Sequence, residues 1–142
     1  MIVEHILQTK GSSVITIVED KLIADAVRVL NENNIGALVV LDASGRISGI
    51  LSERDIVRRL KEDGNSLMRI AVSECMTPKP FTCQPSATID EVMSLMTKRR
   101  IRHLPVVNGS TLAGVISIGD VVKRKIEEIE EEAAAMREYI AS

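Results

Sequence analysis

Apolar positions along the chain fall into short runs whose period changes repeatedly. In VEHIL (3–7), Val3, Ile6 and Leu7 are spaced i, i+3, i+4, which predicts one helical turn. After the polar loop TKGSS, VITI (14–17) reads as a short strand. Ile23, Ala26, Val27, Leu30 and Asn34 then share one face of an amphipathic helix over 22–34, which Asn33-Asn34 ends. Two β-branched runs, 37–41 and 47–51, flank a polar turn at 42–46 and predict a hairpin. A helix over 52–61 follows. EDGNS (62–66), polar and without periodicity, reads as a linker.

The second half runs through the same series. VSECM (72–76) repeats the opening turn, and Pro78 and Pro80 lead into a strand expected at 81–84. A helix is predicted over 88–100. The stretch IRHLPVVNGSTLAGVISIGDVVK (101–123) then reads as strand, Asn108-Gly109 turn, strand and helix. Ile35 and Val40 match Ile101 and Val106 at an offset of 66 residues. After the turn, Gly49, Ser52 and Asp55 match Gly114, Ser117 and Asp120 at an offset of 65, so the length change falls in the loop. The chain is an internal duplication of a β-α-β-β-α unit. We divide it into a first repeat (1–61), a linker (62–71), a second repeat (72–125) and a helical extension (126–142). Running into that extension from the end of the second repeat, Val122, Ile126, Ile129, Ala133, Met136 and Ile140 form an apolar seam with no counterpart after Lys61, suited to a second subunit.

Composition narrows the function classes. At 142 residues, each repeat of roughly 60 would be marginal alone, so the two are expected to pack together. Hydrophobic residues make up 45% of the chain but aromatics only 1%, so the core must be aliphatic and stacking platforms for single-stranded nucleic acid are missing. The net charge of −2 gives no general attraction to nucleic acid or to an anionic membrane. The longest apolar run, IGALVVL, has the length of a strand, and MIVEHILQTK lacks the apolar core of a signal peptide. A cytoplasmic protein is expected. Cys75 and Cys83 have no metal-ligand spacing and align with core positions, so they read as small buried side chains; no metal site is expected.

The candidate chemistry lies where each second hairpin strand meets its helix, at Ser52-Glu-Arg-Asp55 and Ser117-Ile-Gly-Asp120. A helix N-terminus offers free N–H groups and partial positive charge to a phosphate. An aspartate one turn in can accept two hydrogen bonds from a vicinal diol such as a ribose. The plainer alternative is a pair of capping boxes, which duplication would copy equally well. Lys98, Arg99, Arg100, Arg102 and His103 cluster before the second hairpin, whereas Gly36 and Ala37 stand where Arg102 and His103 do. Two binding sites would therefore differ, the second carrying more charge for a phosphate.

The duplicated unit, the strand IRHLPVV, the glycine in each second hairpin strand and the two Ser-x-x-Asp junctions resemble a tandem CBS-domain pair, or Bateman module. The resemblance covers essentially the whole chain and is strongest to small stand-alone two-CBS proteins of bacteria and plant organelles. It implies an α+β fold of two β-α-β-β-α repeats packed with pseudo-two-fold symmetry, with a long C-terminal helix. It also implies regulatory binding of an adenosine nucleotide in the clefts between the repeats. Carried over by position, Asp120 and Asp55 hold ribose hydroxyls, and Ser117 and Ser52 lie near ribose or phosphate. Thr82 and Thr16, with Arg102, His103 and Lys10, line the phosphate path; Ile101 to Pro105 meet the adenine, and Arg54 marks the first junction. The first repeat has Val39 where the second has Pro105, a departure from the family pattern.

The expected function is adenine-nucleotide sensing without catalysis. The ligand is AMP first, with ADP, ATP, NAD or S-adenosylmethionine as alternatives, and no cofactor is obligatory. A homodimer and a regulated protein partner are expected, with neither nucleic acid nor membrane involved. The competing reading is an interaction module with vestigial clefts. An enzyme using Cys75 or Cys83 with His103 ranks below both, because no oxyanion donor is evident.

Overall fold

A computed structural model describes residues 1–11 and 14–142. In chain order the elements are α1 (Val3–Lys10), β1 (Thr16–Val18), α2 (Ile23–Asn33), β2 (Ala37–Leu41), β3 (Ile47–Ser52) and α3 (Glu53–Asp63). A 3-10 helix (Gly64–Arg69) follows, then α4 (Val72–Cys75), β4 (Thr77–Pro78), α5 (Ile89–Arg99), β5 (His103–Asn108), β6 (Thr111–Ser117) and α6 (Ile118–Ala141). The fold is α+β and built of two strand-and-helix repeats, as the pattern of the sequence predicts. Of the expected loop 9–13, Thr9 and Lys10 belong to the last turn of α1 and Gly11 caps it, while Ser12 and Ser13 lie outside the described residues.

The chain forms two compact units: Ile15–Phe81, and Met1–Val14 together with Thr82–Ser142. Each unit thus takes its hairpin from one repeat and its short opening helix from the other. In the first, the sheet order is β1-β2-β3-β4, with β1 parallel to β2 through the α2 crossover and the remaining pairs antiparallel. Ile17, Ile23, Ala26, Leu30, Leu38, Val40, Leu51, Leu67 and Val72 form its core. Residues 62–66, read as a linker, are the end of α3 and the start of the 3-10 helix. Leu67, fully buried, anchors that turn. A six-residue 3-10 helix with one buried side chain leaves no periodicity to read.

In the other unit β5 and β6 pair antiparallel, and α1, α5 and α6 supply Val3, Ile6, Leu7, Ile89, Val92, Met96 and Val121 to a core with Leu104, Val106 and Ile116. The strand expected at 81–84 is reduced to one bridge, Cys83 beside Val106. The Cys83 N–H donates to the Pro105 carbonyl at 3.1 Å, and its carbonyl accepts from the Val107 N–H at 2.8 Å. Pro80 and Pro85, which lack an N–H, bracket this segment and keep the ladder from lengthening.

The opening helices explain the duplicated glycines. A Cβ on Gly114 would stand 2.5 Å from Leu7 Cδ2 of α1; one on Gly49 would stand 2.5 Å from Met76 Sδ, just after α4, and 2.8 Å from the Thr77 carbonyl oxygen. Leu7, within α1, and Met76, just after α4, hold matching places in the two opening segments. Only a glycine lets them approach the strand. Beyond Val121, α6 carries its apolar seam into solvent: Ile126, Ile129, Met136 and Ile140 are 51%, 52%, 60% and 77% exposed. The seam does not fold back on the described chain.

Candidate functional site

Both junctions form helix N-termini closed by reciprocal capping boxes. Ser52 Oγ accepts from the Asp55 N–H, and Asp55 Oδ2 accepts from the Ser52 N–H at 2.9 Å; Ser117 and Asp120 repeat this, with Asp120 Oδ2 2.8 Å from the Ser117 N. One further bond pins each helix start to its hairpin. The Glu53 N–H donates to the Gly36 carbonyl at 3.0 Å, and the Ile118 N–H to the Arg102 carbonyl at 2.8 Å. The capping alternative and the binding reading therefore rest on the same atoms, and what distinguishes the carboxylates is their remaining partners.

Those partners differ. Asp55 accepts from Thr77 Oγ1 on Oδ1 at 3.2 Å, so a neutral hydroxyl of its own unit engages it. Asp120 Oδ2 takes the Lys10 ammonium at 2.7 Å, and Lys10 also donates to the Val115 carbonyl at 3.1 Å. Burial works to raise the Asp120 pKa, but the Lys10 and Ser117 hydrogen bonds outweigh it and hold the carboxyl below its ordinary value. Lys10, assigned by resemblance to the phosphate path, is thus bonded to the ribose-type carboxylate.

Strand register collects most of the remaining candidates. His103 pairs with Ser117, and Pro105 is next but one along β5, so the three share one face of the hairpin. Thr82 immediately precedes the bridging Cys83 and so stands beside Pro105. In the other unit Ala37 pairs with Ser52 and Thr16 pairs with Val39, reproducing the arrangement with an alanine and a valine in place of the histidine and proline. Thr82, Arg102 and Arg54 are exposed, and Thr16 and His103 are half-buried. Ile101, assigned to the adenine, packs against its unit's own core.

The cysteines are half-buried and free, each packed against a core. Burial pushes the Cys83 thiol up to about 11 and also raises Cys75, which keeps both protonated and removes the thiolate a nucleophile needs. Among the described residues no group of histidine, cysteine and carboxylate side chains is placed to hold a metal ion, and no helix is long and apolar enough to cross a membrane.

Sequence reasoning missed a duplicated arginine. Arg59 Nη1 donates to the Glu74 carbonyl of α4 at 2.6 Å, and Arg124 Nη2 donates to the His5 carbonyl of α1 at 3.0 Å. The two arginines stand at the same offset of 65 as the junction aspartates, which was the available signal.

Comparison with known proteins matches these features to one family. The CBS domain family model matches twice, over residues 3–62 and 72–127. The mitochondrial CBS domain-containing protein CBSX3 of Arabidopsis thaliana is 34% identical over 146 residues, spanning 97% of this chain and 71% of its own. The crystal structure of the CBS-domain containing protein ATU1752 from Agrobacterium tumefaciens superposes with a TM-score of 0.84 at 42% identity, covering 87% of this chain and 92% of that one. The CBS domain pair of protein MJ0100, solved in complex with 5′-methylthioadenosine and S-adenosyl-L-methionine, matches with a TM-score of 0.79 at 25% identity over 90% of this chain and 98% of that one. With both of its repeats matched, this chain belongs to the CBS-domain family.

Proposed function

We propose that this protein is a regulatory module, without catalysis of its own, that binds an adenosyl ligand at its Ser-x-x-Asp junctions and signals the bound state to a protein partner. AMP is the first candidate, ahead of ADP, ATP, NAD and S-adenosylmethionine. The observation that carries the reading is the Asp120 junction: an ionised carboxylate held at a helix N-terminus, beside a strand bearing His103 and Pro105, with Thr82 next to them. Such a carboxylate suits a vicinal diol, and the helix N-terminus suits a phosphate. A related pair crystallised with two adenosyl compounds supports the ligand class.

The assembly we propose is a homodimer in the cytoplasm, formed through the exposed seam of α6 in a self-complementary contact. Truncation after Lys125 then shifts the protein toward monomer in light scattering while both units stay folded. A full-length chain that is monomeric at high micromolar concentration contradicts the dimer. The same seam favours a second reading, an interaction module whose junctions bind nothing. A thermal-shift series with AMP, ADP, ATP, NAD and S-adenosylmethionine separates the two, because a ligand that binds only the native state raises its stability. A rise in melting temperature with at least one of them supports sensing. No rise with any leaves the interaction module.

A further inference from the structure

The matched arginines have unequal surroundings. Arg59 donates through Nε to Asp63, one turn along its helix, and through Nη1 to α4, so a carboxylate of the chain itself closes that side of the guanidinium. At the position matching Asp63 the second copy has Glu128, which stands 4.0 Å from Lys125 instead. Arg124 keeps the bond to the opening helix, donates through Nη1 to Glu127 at 2.9 Å, where the matching Glu62 stands 3.8 Å from Arg59 Nε, and touches Thr9 Oγ1 at 3.4 Å. Its Nε is buried and has no acceptor among the described residues. A buried donor without an acceptor is costly, and an arginine with an idle nitrogen suits a planar or tetrahedral oxyanion.

A cavity of about 220 Å³ lies at this place, between the last turn of α1 and the first half of α6. Lys10, Lys123 and Arg124 line it against Asp120 and Glu127, leaving one positive charge in surplus. Lys10 pairs with Asp120 and Arg124 with Glu127, so Lys123 supplies that surplus. Thr9 adds a hydroxyl, and Ile6 an apolar floor. We propose that this cavity binds a small oxyanion, a phosphate or a carboxylate, with Lys123 and Arg124 as its principal donors. The bound anion takes the part that Asp63 plays for Arg59. Because Nε is screened from solvent, the anion engages it with a small turn of the guanidinium that releases the long Thr9 contact. The proposal does not rest on adenosyl binding and stands if the junctions prove vestigial.

The test uses the full chain, with inorganic phosphate and malonate as probes against chloride at matched ionic strength, followed by thermal shift and calorimetry. A saturable stabilisation by either probe is expected, phosphate alone marking a phosphate site and malonate alone a carboxylate site. Lys123→Gln, a surface change that leaves the arginine clamp intact, should weaken that binding by about tenfold or more. Arg58→Gln, the matching change in the other copy, should leave it unaltered. Stabilisation no greater than with chloride for both probes overturns the proposal, as does binding that survives Lys123→Gln.

Discussion

Asp55 and Asp120 occupy one place in two copies of one unit, cap their helices with the same bonds, and differ in what else reaches them. A threonine hydroxyl closes on Asp55; a lysine ammonium closes on Asp120. The strands beside them differ in the same sense, with Gly36 and Ala37 against Arg102 and His103. The shared part is the frame, fixed by capping and by the close approach of an opening helix to a glycine. The part that varies is charge. Duplication preserved what folding needs and left the electrostatics of each junction free to diverge, and the second carries more positive charge beside its carboxylate.

The largest expected effects concern the frame and rank the two copies in reverse. Gly49→Ala forces a methyl group against both Met76 and the Thr77 backbone, and backbone cannot give way as a side chain can. We expect a loss of about 3 kcal/mol, near the upper end for overpacking. Gly114→Ala meets only the flexible end of Leu7, and a loss of about 1 kcal/mol is expected. Urea denaturation measures both. Equal losses would show that the two opening helices are held alike.

A smaller effect reads the Asp120 pairing through pH. The Asp120 pKa is lower in the folded chain than its ordinary value of 3.8, so its ionised form stabilises the fold at neutral pH. That contribution is fully present above the unfolded value and is lost as pH falls from about 4 through the folded pKa. Asp120→Asn should therefore flatten the fall in urea midpoint between about pH 5 and pH 3 relative to wild type. Parallel curves would mean that Lys10 contributes nothing to the junction. Smaller still is Lys10→Met, which makes the second junction resemble the first. With Lys10 and Asp120 side chains 44% and 26% exposed, solvent screening limits the loss to about 1 kcal/mol or less, and the acid dependence should shrink with it.

How far the sequence reveals this molecule follows from which contacts are local. Helix α2, the two hairpins and both capping boxes were legible because period, turn residues and Ser-x-x-Asp spacing are set within a few residues of one another. The segment after α3 was not, since its single anchor, Leu67, has no periodic neighbours. The bridge at Cys83 looked like a strand because β-propensity does not register two flanking residues without N–H donors. The bond from Lys10 to Asp120 spans 110 residues, and the choice of Lys10 for a phosphate path came from position alone. Long-range pairing of this kind leaves no trace in local pattern.

Asp120 is proposed as a ligand-binding carboxylate and not only a cap. Calorimetric titration of wild type, Asp120→Ala and Asp55→Ala with AMP tests it most directly. One stronger site per chain is expected. Asp120→Ala should weaken it by about ten- to a hundredfold, the loss of charge-assisted hydrogen bonds worth about 1.5–3 kcal/mol, with a smaller change for Asp55→Ala. Two identical sites per chain, or an unchanged Kd in folded Asp120→Ala, would contradict it.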